Sequence, residues 1–273
     1  MLRHLVGIFA GRMPPVGSNE RDRGAETLLS QWIADVARPQ PASRLLNLAA
    51  RAQVGTGADV LIPGFVIGPG APKTVLIRAV GPTLGAFGVG GVLASPVLTL
   101  FDADQRNIAT NTRWSTATNV AEIRTTAPRV GAFALPDGSA DSVVLATLVP
   151  GAYTAQTAGA NTTTGVGLVE IYDADLTAGI GTSRLINTAV RAQVGTGANV
   201  LIPGLVVSEG APKTVLIRAV GPGLAAFGVG GVLAEPVVAL FAGAESFLTN
   251  RSWANAANSA EIRTTAARVG AFA

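Results

Sequence analysis

The chain has 273 residues, which is enough for about two domains of ordinary size, and only 14% of its residues are charged. The 20 Lys and Arg exceed the 17 Asp and Glu by three, and no basic cluster occurs, so nothing indicates nucleic-acid binding. Cysteine is absent, which excludes disulfides, thiolate metal sites and a cysteine nucleophile. No apolar stretch reaches the roughly 18 residues that a membrane-spanning helix needs, so we expect no membrane span.

Residues 1–42 form a leader with a pattern of its own. Asp22 can cap a helix. The apolar residues that follow it recur at helical spacing along one face, at Leu28, Leu29, Trp32, Ile33 and Val36. Prolines 39 and 41 then end the helix and begin a linker. We therefore predict a short amphipathic helix before the main part of the chain.

The Met13-Pro14-Pro15 string and the later Trp32-Ile33 pair resemble the last third of c-type cytochrome domains. In that family a Met-Pro-Pro loop supplies the second axial ligand of the haem, so the resemblance implies that Met13 is a ligand position. The attachment motif C-x-x-C-H is missing, so covalent haem cannot form on this chain. The resemblance implies haem c only in a longer parent protein. An ordinary surface helix after a Pro-Pro turn is the alternative.

The rest of the chain contains one unit twice. Residues 44–102 align with 184–242 at an offset of 140, and 45 of these 59 positions are identical. Residues 112–134 align with 251–273 at an offset of 139, and 16 of these 23 positions are identical. This duplication allows a test of each candidate site, because a side chain that every unit requires should occur in both.

We predict one domain at 43–183, called here the first copy, and another at 184–273, called the second copy. The first copy includes a stretch, 135–176, that has no counterpart in the second copy. Without that stretch the second copy would expose apolar faces and unpaired strand edges. We therefore expect the second copy to be a truncated domain that is continued in a longer protein. An unstable second copy, or one completed by strand exchange with another chain, is the alternative.

Seven segments of the first copy are short, rich in Val, Leu, Ile and Thr, and bounded by turn residues, which favours β-strands. They are Leu45–Val54, Val60–Ile67, Thr74–Val80, Val97–Phe101, Val143–Leu148, Tyr153–Thr157 and Val166–Tyr172. One helical segment, Val120–Val130, precedes the last three. We predict an all-β fold of tandem antiparallel β-sandwich repeats, jelly-roll-like, with the second truncated and a short helical segment at the N-terminus. The VLIRAVGP strand is expected in both copies.

The segments LVPGAYTAQTAG and GVGLVEIYDAD resemble the final hairpin of pre-peptidase C-terminal domains of secreted bacterial proteins. More broadly, RAQVGTGANVLIPG and PKTVLIRAVGP resemble a tandem repeat of very large secreted proteins of environmental bacteria, where it often lies beside dehydrogenase, cytochrome or immunoglobulin-like modules. These resemblances imply an extracellular or cell-surface location, with the periplasm as the alternative. They imply no particular activity.

Charged residues inside apolar segments are the first candidate site. Arg78 and Arg218 lie in identical VLIRAVGP segments, where a buried arginine needs a carboxylate or carbonyl partner. Glu122 and Glu261 recur in the helical segment. We predict structural ion pairs of Arg78 with Glu122 and of Arg218 with Glu261, and an anion or sugar-acid site is the alternative.

Two tryptophans and one acidic turn are the remaining candidates. Trp114 and Trp253 match across the copies and can stack on a sugar ring, although packing beneath a helix is the commoner use of Trp. Asp102, Asp104 and Asn107 have a spacing that can begin a calcium loop. The second copy lacks that pattern, so we predict a hairpin turn there and no metal site.

No catalytic constellation recurs in both copies: G-x-S-x-G is absent, and the only histidine, His4, lies in the leader. We predict a non-catalytic extracellular β-sandwich repeat module with a spacer, adhesion or binding role in a larger secreted protein. Its expected partners are glycans or cell-surface components and other domains of a longer chain, and no cofactor is expected in this chain. A fragment of a secreted cytochrome c-containing oxidoreductase and a carbohydrate-binding module are the alternatives.

Overall fold

The computed structural model describes residues 23–37, 42–175 and 183–272 of the chain. These residues divide into two compact units. The smaller unit contains one helix and an isolated parallel bridge between Ala42 and Ala211. The predicted haem-ligand position, Met13, lies outside the described residues.

The helix of the smaller unit, α1, spans Arg23–Ala37 and confirms the helix expected after Asp22. Leu28 and Trp32, which belong to its predicted apolar stripe, are largely exposed. Thr27 donates a hydrogen bond from its hydroxyl to the Arg23 carbonyl oxygen one turn earlier. This helix is too short to cross a membrane, and no other described helix is long and apolar enough to do so.

The larger unit contains the other described elements of both copies. Those of the first copy are β1 (Leu45–Val54), β2 (Ile62–Ile67), β3 (Lys73–Val80), β4 (Pro96–Phe101), β5 (Asn107–Asn111), α2 (Val120–Arg129), β6 (Ser142–Leu148), β7 (Gly151–Gly159) and β8 (Gly165–Asp173). Those of the second copy are β9 (Leu185–Arg191), β10 (Ile202–Val207), β11 (Val238–Ala242), β12 (Glu245–Asn250) and α3 (Ser259–Arg268). The seven strands and the helix predicted for the first copy are confirmed to within two residues at each end, and β5 is an addition.

The strands form two five-stranded antiparallel sheets and one separate hairpin. Sheet I has the order β10-β1-β8-β3-β6, and sheet II has the order β5-β4-β7-β2-β9. The hairpin consists of β11 and β12, the counterparts of β4 and β5. The described chain is therefore mostly β, as the sequence predicts.

One hydrophobic core contains side chains from both sheets, among them Val75 and Ile77 of β3 and Phe65 of β2. Strand β3 is buried on both faces, because Leu76 joins a second cluster with Trp114 on the side of α2. A strand that is covered on both sides is expected to be a continuous apolar run, as this one is. Complete burial of each such side chain contributes about 1.5–3 kcal/mol.

The first two strands of the second copy join the sheets of the first copy. β1 pairs with β10 in sheet I, and β2 pairs with β9 in sheet II. Leu48 lies opposite Leu205, and Phe65 lies opposite Thr188. These are the same two positions of the repeated unit with the copies exchanged. The two ladders are therefore equivalent.

The junction between the copies has an approximate two-fold axis. Gln53 pairs with Gln193, which is its own counterpart at the offset of 140. The hydrogen bonds at the far ends are equivalent too: the Gly68 amide donates to the Arg184 carbonyl and the Ser208 amide to the Arg44 carbonyl, both at 2.8 Å. Such mutual pairing is typical of isologous dimer interfaces, in which one patch binds its own copy.

The VLIRAVGP strand expected in the second copy is not formed. Gly70–Pro82 and Gly210–Pro222 are identical, yet residues 212–220 carry no strand. In the first copy β3 lies between β6 and β8. The described residues 183–272 contain no counterparts of β6 and β8, so the backbone of this segment has no ladder partner there.

We expect Gly81→Ala to destabilise the protein because the backbone passes close by. A Cβ added at Gly81 would lie 2.0 Å from the Leu93 carbonyl oxygen, whereas a Cβ at Gly85 would meet nothing within 4 Å. The free energy of unfolding should fall by about 1–3 kcal/mol for Gly81→Ala. It should rise by about 0.4–1 kcal/mol for the control Gly85→Ala, whose counterpart in the second copy is already Ala225. Urea unfolding measures both changes, and equal effects would contradict this packing.

Candidate functional site

Strand β3 carries two buried cations, Lys73 near its start and Arg78 near its end, which are 0% and 1% exposed. An unpaired buried charge costs several kcal/mol, so each cation requires a partner. The partners lie on the neighbouring strand β8. Lys73 Nζ is 2.8 Å from Asp173 Oδ1, and Arg78 Nε is 3.1 Å from Glu170 Oε2. The candidate site is this double row of charges across β3 and β8.

The Lys73 end is a network around two carboxylates. Lys73 Nζ also donates to Asp175 Oδ2 at 3.2 Å, and the Thr74 backbone amide donates to the same carboxylate. Arg44 Nη1 lies 3.9 Å from Asp173 Oδ2, and Arg44 Nη2 donates to the Asp175 carbonyl oxygen at 3.1 Å. Two cations balance two carboxylates, so the network fastens the end of β8 to the start of β3.

The carboxylate partner of Arg78 differs from the predicted one. The predicted pairing of Arg78 with Glu122 is wrong, because Glu122 is exposed in the first turn of α2, whereas Glu170 lies opposite Arg78 in the sheet. Arg78 Nη1 donates to the Phe133 carbonyl oxygen at 2.7 Å. The guanidinium carbon lies 4.2 Å from the centre of the Phe133 ring, a cation–π contact. Arg78 is thus buried beside a carboxylate that differs from the predicted one.

Glu170 is an acid whose ionised form is disfavoured by its surroundings. Burial raises the pKa of Glu170 above its ordinary value of 4.5, and this effect exceeds the opposing effects of Arg78 and of the Tyr172 hydroxyl. That hydroxyl donates to Glu170 Oε1 at 2.8 Å. Burial and the neighbouring carboxylate raise the pKa of Tyr172 well above its ordinary value. Arg78 Nε and Glu170 Oε2 lie 3.1 Å apart without hydrogen-bond geometry, and neither atom has a hydrogen-bond partner among the described residues.

A cavity of about 300 Å³ lies beside this ion pair, lined by residues of α2, β3, β6 and the segment after α2. Its walls include Leu76, Ile123 and Phe133, and Arg78 is also part of the lining. Arg124 is the second cation of the lining, and its Nη2 lies 2.7 Å from Asp137 Oδ1. Apolar walls with cations suit a small ligand with a carboxylate and an apolar body. Glu170 and Asp137 already compensate the charges of Arg78 and Arg124, so the geometry does not favour an anion strongly.

The predicted sugar-stacking surface at Trp114 is wrong, because Trp114 is only 4% exposed. Its indole Nε1 donates to the Pro136 carbonyl and to Ser139 Oγ, both at 3.2 Å. Arg124 of α2 covers the ring, with its guanidinium carbon 4.7 Å from the ring centre. Trp114 therefore packs beneath α2, which is the commoner use of Trp.

The counterparts in the second copy keep their local contacts and lose their burial. Trp253 is 49% exposed, although Arg263 covers its ring at the same 4.7 Å. Arg218 is exposed and lies 4.7 Å from the Phe272 ring centre. The predicted pairing of Arg218 with Glu261 is wrong, since no ion pair joins them among the described residues and both side chains are exposed.

Sequence reasoning missed the acids of β8 as partners of β3. Glu170, Asp173 and Asp175 lie in the stretch 135–176, so comparison of the two copies could not select them. A usable signal was present: Glu170 interrupts the apolar run LVEIY, and an acid within a buried strand needs a cation.

Asp141 was missed for the same reason. It is fully buried and accepts hydrogen bonds from the Gly81 amide at 2.8 Å, from Ser139 Oγ at 2.8 Å and from Thr83 Oγ1. It therefore fixes the segment before β6 against the turn that follows β3.

The acidic turn between β4 and β5 is a hairpin turn, as predicted. Asp102 Oδ1 accepts hydrogen bonds from the backbone amides of Asp104 and Arg106 at 2.9 and 3.0 Å. The Arg106 amide contributes most to lowering the pKa of Asp102. Among the described residues, no group of three or more His, Cys, Asp and Glu is placed to hold a metal ion.

Comparison of the chain with protein-family models, with curated proteins and with solved structures gives no match.

We expect Arg78→Met and Arg218→Met to differ sharply although both change the same residue of an identical segment. Arg78→Met leaves Glu170 buried without its cation and should cost about 3–5 kcal/mol of unfolding free energy. Arg218→Met changes an exposed side chain and should stay within about 0.5 kcal/mol of the parent. Urea unfolding of both variants measures the difference, and similar costs would show that both arginines have the same environment.

The pH dependence of stability should report the raised pKa of Glu170. The folded state holds this proton more tightly than the unfolded state, so stability falls as pH rises from 4.5 through the raised value. We expect Glu170→Gln to remove this part of the fall, because glutamine does not titrate. The exposed Glu122→Gln is the control and should keep the parent profile. Unfolding free energies across this pH range would contradict the assignment if Glu170→Gln also kept the parent slope.

Proposed function

We propose that the protein is a non-catalytic module of tandem jelly-roll-like β-sandwich repeats that acts as a rigid spacer in a larger secreted, extracellular protein. The observation that carries this proposal is the junction at which β10 joins β1 and β9 joins β2. A flexible linker between repeats would leave their relative orientation free. Two hydrogen-bonded ladders instead hold one copy against the other.

The two ladders lie in different sheets, and this arrangement favours rigidity. A single ladder can act as a hinge, whereas two ladders in separate layers resist both bending and twisting. The paired positions run from Leu45 to Arg51 in β1 and from Ile62 to Ile67 in β2. The pairing also covers two strand edges that would otherwise be open to aggregation.

The use of the buried charges supports a structural role. Lys73, Arg78, Glu170 and Asp173 are buried, and their ionic contacts are with one another and with adjacent residues. Polar groups that serve catalysis are usually arranged to face a substrate. Here they fasten β8 to β3, so the described charges support packing more than chemistry.

The symmetry of the junction makes the closed pair of copies the structural unit of the spacer. Because each copy offers the same β1–β2 edge to the other, the pairing closes on two copies and leaves no such edge for a third. A longer array of these repeats would consist of closed pairs joined by other contacts. The rigid element would then be the pair.

The spacer function predicts a fixed distance between the two copies. The chain has no native cysteine, so spin labels can be attached to Thr110→Cys and Thr249→Cys, which are exposed equivalent positions. Double electron–electron resonance should give a single narrow distance distribution. Labels at Thr110→Cys and Thr125→Cys, both within the first copy, provide the reference width. A distribution much broader than this reference would contradict the rigid spacer.

A further inference from the structure

The Lys73 end of the charge network lies inside the core between the two sheets. Lys73 lies on the same face of β3 as Val75, because alternate residues of a strand face the same side. Asp173 lies on the same face of β8 as Ile171 for the same reason. Val75 and Ile171 belong to the apolar core that both sheets share. The side chains of Lys73 and Asp173 are both 0% exposed, so an amine and a carboxyl group meet where water is excluded.

The amine and the carboxyl group are close enough to react with each other. Lys73 Nζ lies 2.8 Å from Asp173 Oδ1, although the two residues are 100 positions apart in the sequence. The nitrogen is therefore within about 4 Å of Asp173 Cγ, since a C=O bond adds about 1.2 Å. This separation is near the value of about 3–3.5 Å at which bound reactants are poised for attack. The fold thus holds a nucleophile against a carboxyl carbon.

The two carboxyl oxygens of Asp173 have different surroundings. Oδ1 accepts hydrogen bonds from Lys73 Nζ at 2.8 Å and from the backbone amide of Asp175 at 3.1 Å. Oδ2 is buried without a hydrogen-bond partner among the described residues, and Arg44 Nη1 is 3.9 Å from it. The backbone donor at Oδ1 is placed as the donor to an amide carbonyl would be. Oδ2 is held by no hydrogen bond and is the oxygen that can leave.

Asp175 supplies a second carboxylate beside the lysine. Its Oδ2 lies 3.2 Å from Lys73 Nζ, and the Thr74 backbone amide donates to the same carboxylate. A group that carries protons in a reaction must lie within hydrogen-bond reach of the proton that it takes. Asp175 meets this requirement, and its side chain is 29% exposed, whereas that of Asp173 is 0% exposed.

We propose that Lys73 and Asp173 condense to an amide cross-link between β3 and β8, with Asp175 as the proton carrier. Asp175 takes one proton from the ammonium group and passes it to Asp173 Oδ2, so that a neutral amine faces a neutral carboxylic acid. Nζ then attacks Cγ, and the Asp175 backbone amide stabilises the charge that develops on Oδ1. A second Nζ proton reaches Oδ2 by the same route, the Cγ–Oδ2 bond breaks and Oδ2 leaves as water. Nζ keeps one proton, Oδ1 becomes the amide carbonyl, and nothing is oxidised or reduced.

Burial favours this condensation. An ion pair that is removed from water loses its solvation, so the neutral amine and acid are closer to it in free energy than they are in water. The amide product carries no charge and satisfies the same site. A cross-link between residues 100 positions apart would also restrict the unfolded chain, as a disulfide does.

This inference is independent of the proposed spacer function. The spacer depends on the β1–β10 and β2–β9 ladders, whereas the cross-link lies within the first copy. A fixed distance between spin labels can occur with or without an amide between Lys73 and Asp173. The two proposals can therefore fail separately.

The test is the mass of the purified full chain, measured after denaturation, and of its tryptic peptides. The cross-linked chain should be lighter than its sequence requires by one water. Trypsin does not cleave after an amidated lysine, so residues 52–78 should remain in one piece and be joined to residues 130–184. Fragmentation of this joined peptide should place the bond between Lys73 and Asp173.

Three variants test the assigned roles. Asp173→Ala lacks the carboxyl carbon that is attacked and should lose no water. Asp175→Ala keeps both reacting groups and lacks the proton carrier, so the reaction should slow by about a hundredfold or more. Most freshly purified Asp175→Ala chains should then have the full mass. Asp104→Ala removes an exposed acid of the β4–β5 turn and is the matched control, which should be cross-linked as the parent is.

The parent chain decides the proposal even if a variant fails to fold. A full-length mass without loss of water, with cleavage after Lys73, would show that the pair remains ionic and would overturn the proposal. A loss of water confined to one tryptic peptide would also overturn it, because that result indicates a cyclic imide formed within one segment. Water loss in Asp173→Ala, or a bond that maps to Asp175, would contradict the assigned roles.

Discussion

The requirement to neutralise Lys73 and Arg78 governs the arrangement of the first copy. Both cations lie on a strand that is covered on both faces, so neither can reach solvent. Their carboxylates are on β8, and this places β8 beside β3 in the middle of sheet I, between β3 and β1. The same burial raises the pKa of Glu170. Without β8, the cations of β3 would have no carboxylate partners, and burial of the strand would no longer be favourable.

The second constraint is the exposure of strand edges. β1 and β2 lie in different sheets, and each would be an edge if the first copy stood alone. The duplicated unit covers both edges with its own counterparts, around an axis near Gln53 and Gln193. The same surface that protects the first copy also fixes the second against it. Edge protection and the pairing of the copies are thus one structural feature.

Much of the first copy could be predicted from sequence, because its strands are bounded by clear turn residues and its buried arginine demanded a partner. The partner itself could not be predicted, because Glu170 lies in the stretch that the second copy lacks, whereas Glu122, which recurs in both copies, is exposed. The pairing of β9 with β2 and of β10 with β1 depends on long-range contacts that no local pattern encodes. Residues 213–220 show most clearly what local sequence cannot predict, since the same sequence forms a strand in the first copy and none in the second. β-propensity depends more on how a strand packs against its neighbours than on a preference of its backbone. The haem-ligand prediction at Met13, outside the described residues, stays a prediction.

Amide hydrogen exchange, measured segment by segment on the intact chain, distinguishes a strand that its neighbours hold from one that its own sequence forms. Residues 74–80 and 214–220 have the same sequence, so their intrinsic exchange rates are the same. If neighbouring strands and buried ion pairs determine whether this segment forms a strand, amides 74–80 will exchange slowly, at the rate of the core strands. Amides 214–220 will then exchange nearly as fast as those of an unfolded chain. Equal protection of the two segments would contradict the account, since it would show that the sequence forms its strand without Glu170, Asp173 and the strands that carry them.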